Sequence, residues 1–148
     1  MNTHEIKDIL KQGAVIDAAV AELSDAICVP NQNDGYRVDG LTYERSVEGP
    51  GVIVRLHGIT LVTKYGQVKA DGEYGIVVYG RLSFCLKDEE GLPGESIHSI
   101  LIQSDGWFSM DGSKFFSCSM IPEKIDHSRH RLSCTLAEAI QARMPRLQ

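Results

Sequence analysis

The sequence predicts an α+β fold, with a long N-terminal helix and a short C-terminal helix packed on one face of an antiparallel, meander-like sheet of five to seven strands. Three observations predict it. Residues 2–27 carry apolar side chains at helical spacing, the middle of the chain consists of alternating segments separated by glycine-containing turns, and a second helical stripe ends at Pro145. The length of 148 residues suits one domain, residues 1–148.

Composition narrows the functional class. The net charge of −5 argues against a general affinity for nucleic acid or anionic membrane. No apolar run approaches the roughly 20 residues that cross a bilayer, and no leader pattern opens the chain. We therefore expect a cytoplasmic protein with no membrane partner, in which the four widely spaced cysteines are reduced.

The N-terminal helix begins at Asn2 or Thr3 and stops before Pro30. Its apolar positions alternate steps of three and four, the period of a coiled-coil seam, and further apolar residues widen that stripe. The helix is predicted to pack on the chain's own sheet, and a contact with a second copy is a further hypothesis. The residues predicted for that dimer contact are Ile9, Ile16, Val20 and Leu23.

Residues 59–86 predict a β-hairpin closed at Asp71-Gly72. That turn makes paired positions sum to 143, which separates the side chains of both strands into two faces. One face is predicted to be core, with Ile59, Leu61, Leu82 and Phe84. The other is mixed and carries Lys64, Tyr79 and Arg81.

The remaining strands are shorter. Residues 36–47 predict a strand or a hairpin turned at Asp39-Gly40, and residues 52–61 predict one strand with a β-bulge at His57-Gly58. Residues 96–104, 107–110 and 113–120 follow as further strands. Thr135 and Glu138 form a capping-box pattern that predicts the start of the C-terminal helix.

Two groups of residues are candidate binding sites. Lys64, Tyr79 and Arg81, which Trp107 or Phe108 could extend, have the aromatic and arginine composition of interaction hot spots. A basic segment near the C-terminus could bind an acidic partner or phosphate more strongly as its histidines protonate. Its residues are His127, Arg129, His130 and Arg131.

Metal-binding and catalytic interpretations are less favoured. Cys118, His127, His130 and Cys134 have ligand types that zinc accepts, but their mixed spacing is better explained by a solvated basic patch, so no metal or cofactor is predicted. A Cys85–His57 nucleophile pair would project from opposite faces of the hairpin. The sequence contains none of the common nucleophile, phosphate-loop or dinucleotide motifs.

These patterns predict a non-catalytic binding or adaptor module that recognises a protein partner and forms a homodimer. Two alternatives stay open at this level. One is a protein with an apolar ligand pocket between the sheet and the N-terminal helix. The other is a small enzyme whose catalytic residues meet only in the fold.

Overall fold

The computed structural model describes residues 2–112, 115–116 and 122–147, except the side chains of 115–116 and 122–123. Two α-helices, a 3-10 turn and seven strands follow one another along this part of the chain. They are α1 (Thr3–Ile27), the 3-10 turn (Asp34–Tyr36), β1 (Thr42–Arg45), β2 (Val52–Leu56), β3 (Ile59–Gly72), β4 (Gly75–Lys87), β5 (Pro93–Ile102), β6 (Phe108–Ser109), β7 (Phe115–Phe116) and α2 (Pro122–Gln141).

The seven strands form one antiparallel sheet in the order β1 to β7, each paired with its neighbours in sequence. Both helices pack on the same face, and their apolar side chains form one core with the inward residues of β2 to β6. The predicted α+β meander with its two helices is therefore confirmed. The strand predicted over residues 113–120 falls largely outside the described residues.

The N-terminal helix begins and ends where the sequence places it. The Asn2 side chain caps α1 by accepting a hydrogen bond from the Glu5 amide at 2.9 Å. One stripe of α1 lies against β4, where Gly80 allows close approach: a β-carbon there would lie 2.9 Å from Val20 and 3.0 Å from Ile16. The absence of a side chain at Gly80 thus sets how closely the helix meets the sheet.

The hairpin of β3 and β4 has the predicted faces but a different register. Its loop is Glu73-Tyr74, so the prediction of a turn at Asp71-Gly72 is wrong. Paired positions sum to 147, as in Leu61 opposite Leu86. The register difference of four is even, and an even shift leaves every side chain on the same face. Leu61, Leu82 and Phe84 are accordingly buried.

A tight turn replaces the β-bulge predicted at His57-Gly58. Both residues have positive φ, 53° and 76°, as a two-residue type I′ turn requires. Leu56 pairs with Ile59 across it, so β2 and β3 are two antiparallel strands. The apolar positions change phase between residues 56 and 59 because the chain reverses direction there. The turn predicted at Asp39-Gly40 is followed by β1, and the segment before it is largely irregular.

The C-terminal helix starts thirteen residues before the predicted capping box. α2 begins at Pro122, and Thr135 lies in its interior, where its hydroxyl donates to the Arg131 carbonyl at 2.9 Å. Leu132, Leu136 and Ile140 form the buried stripe of α2. The predicted stripe of Leu136, Ala139, Ile140 and Met144 is confirmed at Leu136 and Ile140, whereas Met144 is exposed beyond the end of α2. The match to a capping box placed the start of the helix too late.

The β3–β4 hairpin extends past its neighbours as an arm, which is two-stranded from Val68 to Tyr79. β2 pairs with β3 only as far as Val62, and β5 pairs with β4 only as far as Gly80. Beyond those points the described strands pair only with each other. We call residues 64–79 the β-arm.

The N-terminal half of α1 lies along the inner side of the β-arm. Gln67 donates from Nε2 to the Gly13 carbonyl at 2.9 Å, and the Tyr65 hydroxyl donates to Asp17 at 2.7 Å. Burial, followed by this hydrogen bond to Asp17, raises the pKa of Tyr65 to about 12. A β-carbon at Gly13 would lie 2.8 Å from Oε1 of Gln67, so the glycine allows the Gln67 side chain to approach the helix closely.

Candidate binding surface

The sheet face that points away from α1 and α2 is not covered by any helix in the described part of the chain. Residues paired across antiparallel strands share a face, so the registers place its side chains in rows. We call this surface the outer face. It comprises Ile53, Val62, Lys64, Val68, Tyr79, Arg81, Ser83, Cys85, Ser99, Leu101 and Trp107.

An aromatic row crosses the outer face from β3 and β4 to the segment between β5 and β6. Val68 pairs with Tyr79, and continuing the β4–β5 register by one residue past Gly80 places Gln103 next to Tyr79. The Gln103 amide donates to the Trp107 carbonyl at 2.8 Å. Trp107 precedes the buried Phe108, so alternation turns its ring outward, where it is 43% exposed. Tyr79 and Trp107 therefore lie on the same side of the sheet, as predicted.

Two cations stand beside this row. Arg81 pairs with Leu101 in the neighbouring row, and Lys64 pairs with Ser83 in the row after that. Both cationic side chains are exposed. The structure thus brings Lys64, Tyr79 and Arg81 together with Trp107 on one uncovered surface, although the hairpin register predicted from the sequence was wrong.

Cys85 lies on the outer face but is almost fully buried by its neighbours. Burial raises the pKa of its thiol, and the opposing effect of Lys64 is smaller. His57 is in the β2–β3 turn, whereas Cys85 pairs with Val62 inside the sheet. The Cys85–His57 pair considered from the sequence is not formed.

The predicted basic segment of α2 divides between two environments. Arg129 points into the protein, where Nε donates to the Ala26 carbonyl at 2.7 Å and its side chain is only 10% exposed. His127 and Arg131 are exposed, and His130 is half-buried against the ring of Tyr36. The four residues do not form one solvated patch, and the prediction is wrong for Arg129.

Arg129 belongs to a buried polar network that anchors the loop after α1 to α2. The carboxylate of Asp126 accepts hydrogen bonds from the Gln32 amide at 3.1 Å and the Asn33 amide at 3.0 Å. Arg129 lies 3.4 Å from the same carboxylate. Asn31 donates to the carbonyl oxygens of Tyr36 and Asp126, which are respectively five and 95 residues away in sequence. Sequence reasoning missed Asn31 and Asp126, because neither residue carries a local signal of its distant partners.

A groove of about 420 Å³ lies between the N-terminal half of α1 and the edge of β4, where β5 has ended. We call it the α1–β4 groove. Gln12 closes part of that edge: its Nε2 donates to the Ile76 carbonyl and its Oε1 accepts from the Val78 amide, both at 2.9 Å. These are the two groups that a parallel strand would engage, so the side-chain amide replaces a main-chain neighbour.

A second groove of about 350 Å³ lies at the other end of α1, beside the loop of residues 28–41. Within it the Tyr43 hydroxyl and the Ser133 hydroxyl are 2.7 Å apart, and burial raises the pKa of Tyr43. Burial also raises the pKa of the nearby Cys28 thiol. These shifts keep both groups protonated at neutral pH, which opposes a nucleophilic role for either.

The metal-ligand pattern comes together only in part. Cys118 lies outside the described residues. On α2, the Sγ of Cys134 is 3.6 Å from Nε2 and 3.8 Å from Nδ1 of His130, so it is nearly equidistant from the two ring nitrogens and not aligned with either lone pair. Nδ1 also faces the Tyr36 carbonyl at 3.2 Å. Among the described residues, no group of three or more metal-ligating side chains is placed to hold an ion.

Three of the four residues predicted for a dimer contact belong to the chain's own core. Ile16, Val20 and Leu23 are at most 2% exposed and pack against the sheet, while Ile9 is partly buried at the edge of this core. These side chains therefore offer little surface to a second copy. Their coiled-coil spacing reflects a helix packed on a sheet. The inward stripe of α1 also packs into the space beneath the helix that the ligand-pocket alternative would need. The α1–β4 groove and the groove beside residues 28–41 lie at the two ends of α1.

Neither the protein-family models nor the curated proteins nor the solved structures contain a match to this chain. No helix among the described residues is long and apolar enough to cross a membrane.

Proposed function

We propose that the protein is a non-catalytic binding module that recognises an acidic segment of a protein partner through the outer face. The observation that carries this proposal is the grouping of Tyr79 and Trp107 with two cations on an uncovered sheet. Tyrosine, tryptophan and arginine are the residues most enriched at the energetic centres of protein interfaces.

The charge of this surface indicates the chemistry of the partner. Lys64 and Arg81 are cationic in a chain whose net charge is −5, so the outer face differs in sign from the molecule as a whole. Arg55, also on this side of the sheet, is already paired with Glu44 at 2.7 Å. An acidic segment with an apolar or aromatic residue would meet complementary charge at Lys64 and Arg81 and contact area at the aromatic row.

Site-specific photocrosslinking tests the proposal in cells of the source organism. A benzoylphenylalanine at Ser99, in the centre of the outer face, should crosslink to a discrete partner. The same residue at Val47, which is 94% exposed in the β1–β2 loop, serves as the control and should not.

Charge reversal makes the test specific. Arg81→Glu should abolish the crosslink from position 99, whereas Lys7→Glu, at an exposed position of α1 on the opposite side of the sheet, should leave it intact. Both substitutions should change the free energy of unfolding by no more than about 0.5 kcal/mol, as expected at exposed positions. Absence of any crosslink from position 99, the same adduct from position 47, or a crosslink that survives Arg81→Glu would each contradict the proposal.

A further inference from the structure

The α1–β4 groove has an apolar floor between acidic residues. Val15 and Val77 are 46% and 37% exposed along it, and Asp8 and Asp105 are exposed at its sides. Lys11 also borders the groove. Because the Gln12 amide already engages the edge of β4, an occupant would be recognised mainly by its side chains.

The carboxylates that line the groove keep acceptor capacity. Asp8 accepts one hydrogen bond from Gln12 at 2.9 Å through Oδ2. Asp105 accepts one from the Trp107 amide at 3.0 Å through Oδ1. A carboxylate has about four acceptor positions, so each can also bind a cation. The groove therefore suits an apolar side chain that is accompanied by an arginine or a lysine.

The segment that follows α2 has this chemistry. Residues 144–147 read Met-Pro-Arg-Leu and are exposed, without regular secondary structure. Met144 and Leu147 are apolar, and Arg146 is a cation between Pro145 and Leu147. Proline lacks an amide hydrogen and disfavours a helical residue before it, which keeps the segment extended.

The C-terminal segment of the same chain starts far from the groove. Arg143 contacts Glu95, near the start of β5, at 2.9 Å, whereas the groove lies beyond the end of that strand, at residues 103–105. The eight residue steps from Glu95 to Gln103 span about 26 Å. The four residues 144–147 extend at most about 14 Å. A second copy can therefore supply this sequence to the groove more readily than the chain's own segment.

We propose that residues 144–147 of one copy bind in the α1–β4 groove of a second copy, with Leu147 on the floor formed by Val15 and Val77. Arg146 then contacts Asp105 and Asp8. The contact joins two different surfaces, so it closes into a dimer when both copies exchange their segments. This self-association does not use the buried stripe of α1, and it meets the outer face only at the edge of β4, where Val77 and Tyr79 line the groove. Arg146 and Leu147 are not part of the outer face, so their variants test the contact separately from the proposed partner.

Sedimentation analysis of the full chain from 1 µM to 1 mM tests the contact. The unmodified protein should self-associate within this range, and Arg146→Asp or Leu147→Asp should weaken association at least about tenfold, equivalent to about 1.4 kcal/mol. The matched control is Val47→Asp, an exposed substitution remote from both surfaces, which should have no effect.

A charge exchange identifies the groove as the receiving site. Asp105→Arg alone should weaken association, and combining it with Arg146→Asp should restore most of the lost affinity. For the unmodified chain, the dissociation constant should increase as the ionic strength is raised from a low-salt buffer. A chain that stays monomeric at 1 mM, an association unaffected by the segment variants, or a double variant no better than either single variant would overturn the proposal.

Discussion

Two Asp–Arg pairs of identical spacing permit a controlled measurement of what burial does to an ion pair in this protein. Asp126 and Arg129 are three residues apart on α2, with side chains only 5% and 10% exposed. Asp34 and Arg37 have the same spacing but are 88% and 51% exposed. Replacing each aspartate with alanine removes the same group from two very different environments.

The buried substitution should be far more costly. Asp126→Ala leaves two loop amides without an acceptor and Arg129 without its anionic neighbour. Removing one partner of a buried pair costs about 3–5 kcal/mol. The lower end applies here, because the 3.4 Å pair is long and Arg129 keeps the Ala26 carbonyl. We expect a loss of about 3 kcal/mol for Asp126→Ala and about 0–1 kcal/mol for Asp34→Ala.

Urea denaturation followed by Trp107 fluorescence measures the free energy of unfolding of both variants. Equal slopes of this free energy against urea concentration check that unfolding stays two-state. A double-mutant cycle of Asp126→Ala with Arg129→Met should show a coupling of about 0.5–3 kcal/mol, because both side chains belong to one polar network. If Asp126→Ala and Asp34→Ala differ by less than 1 kcal/mol, or if the cycle shows no coupling, the buried network does not anchor the loop as described.

Three further substitutions test separate parts of the fold. Phe84→Ala should lower the free energy of unfolding by about 3–5 kcal/mol, because Phe84 is fully buried in the core; a value below 1 kcal/mol by the same assay would contradict this. Gln12→Ala should cost about 1–3 kcal/mol by leaving the Ile76 carbonyl and the Val78 amide unpaired, while the neighbouring exposed Leu10→Ala changes little. Burial lowers the pKa of His98, so as the pH falls the unfolded chain binds a proton at this residue before the folded chain does. The free energy of unfolding should therefore decrease as the pH drops below about 6.5. His98→Leu should flatten this pH dependence, and an unchanged pH profile in the variant would refute the assignment.

Alternation predicts the faces of strands without fixing their pairing. The side chains of β3 and β4 were assigned to the correct faces, because hydrophobic alternation determines the parity of a residue. Alternation is insensitive to any even shift of one strand relative to the other, such as the four-residue difference found here. The Asp71-Gly72 dipeptide resembled a hairpin turn more closely than Glu73-Tyr74, and local turn propensity therefore selected the wrong register.

Long-range polar contacts are the part of the structure that could not be predicted from the sequence. Asp126 and Asn31 meet across 95 residues, and no periodicity links them. Arg129 belongs to a run of basic residues that suggests a solvated patch, yet it is two residues, or about 200° of helical rotation, from the exposed His127 and Arg131. The seam of α1 was recognised, but the same spacing serves a partner helix and a sheet, so only the fold could decide between them.

The β-arm makes two distant parts of the chain depend on each other. An isolated two-stranded ribbon has little stability in water, and the first turns of a helix fray easily. Here Gln12, Gly13 and Asp17 hold the arm, and the arm in turn provides the surface on which that half of α1 lies. Amide hydrogens in both should therefore exchange through one shared opening event, while the centre of the sheet stays closed. The α1–β4 groove is lined by residues of both the β-arm and the N-terminal half of α1. A molecule bound in it would therefore slow hydrogen exchange in both elements together.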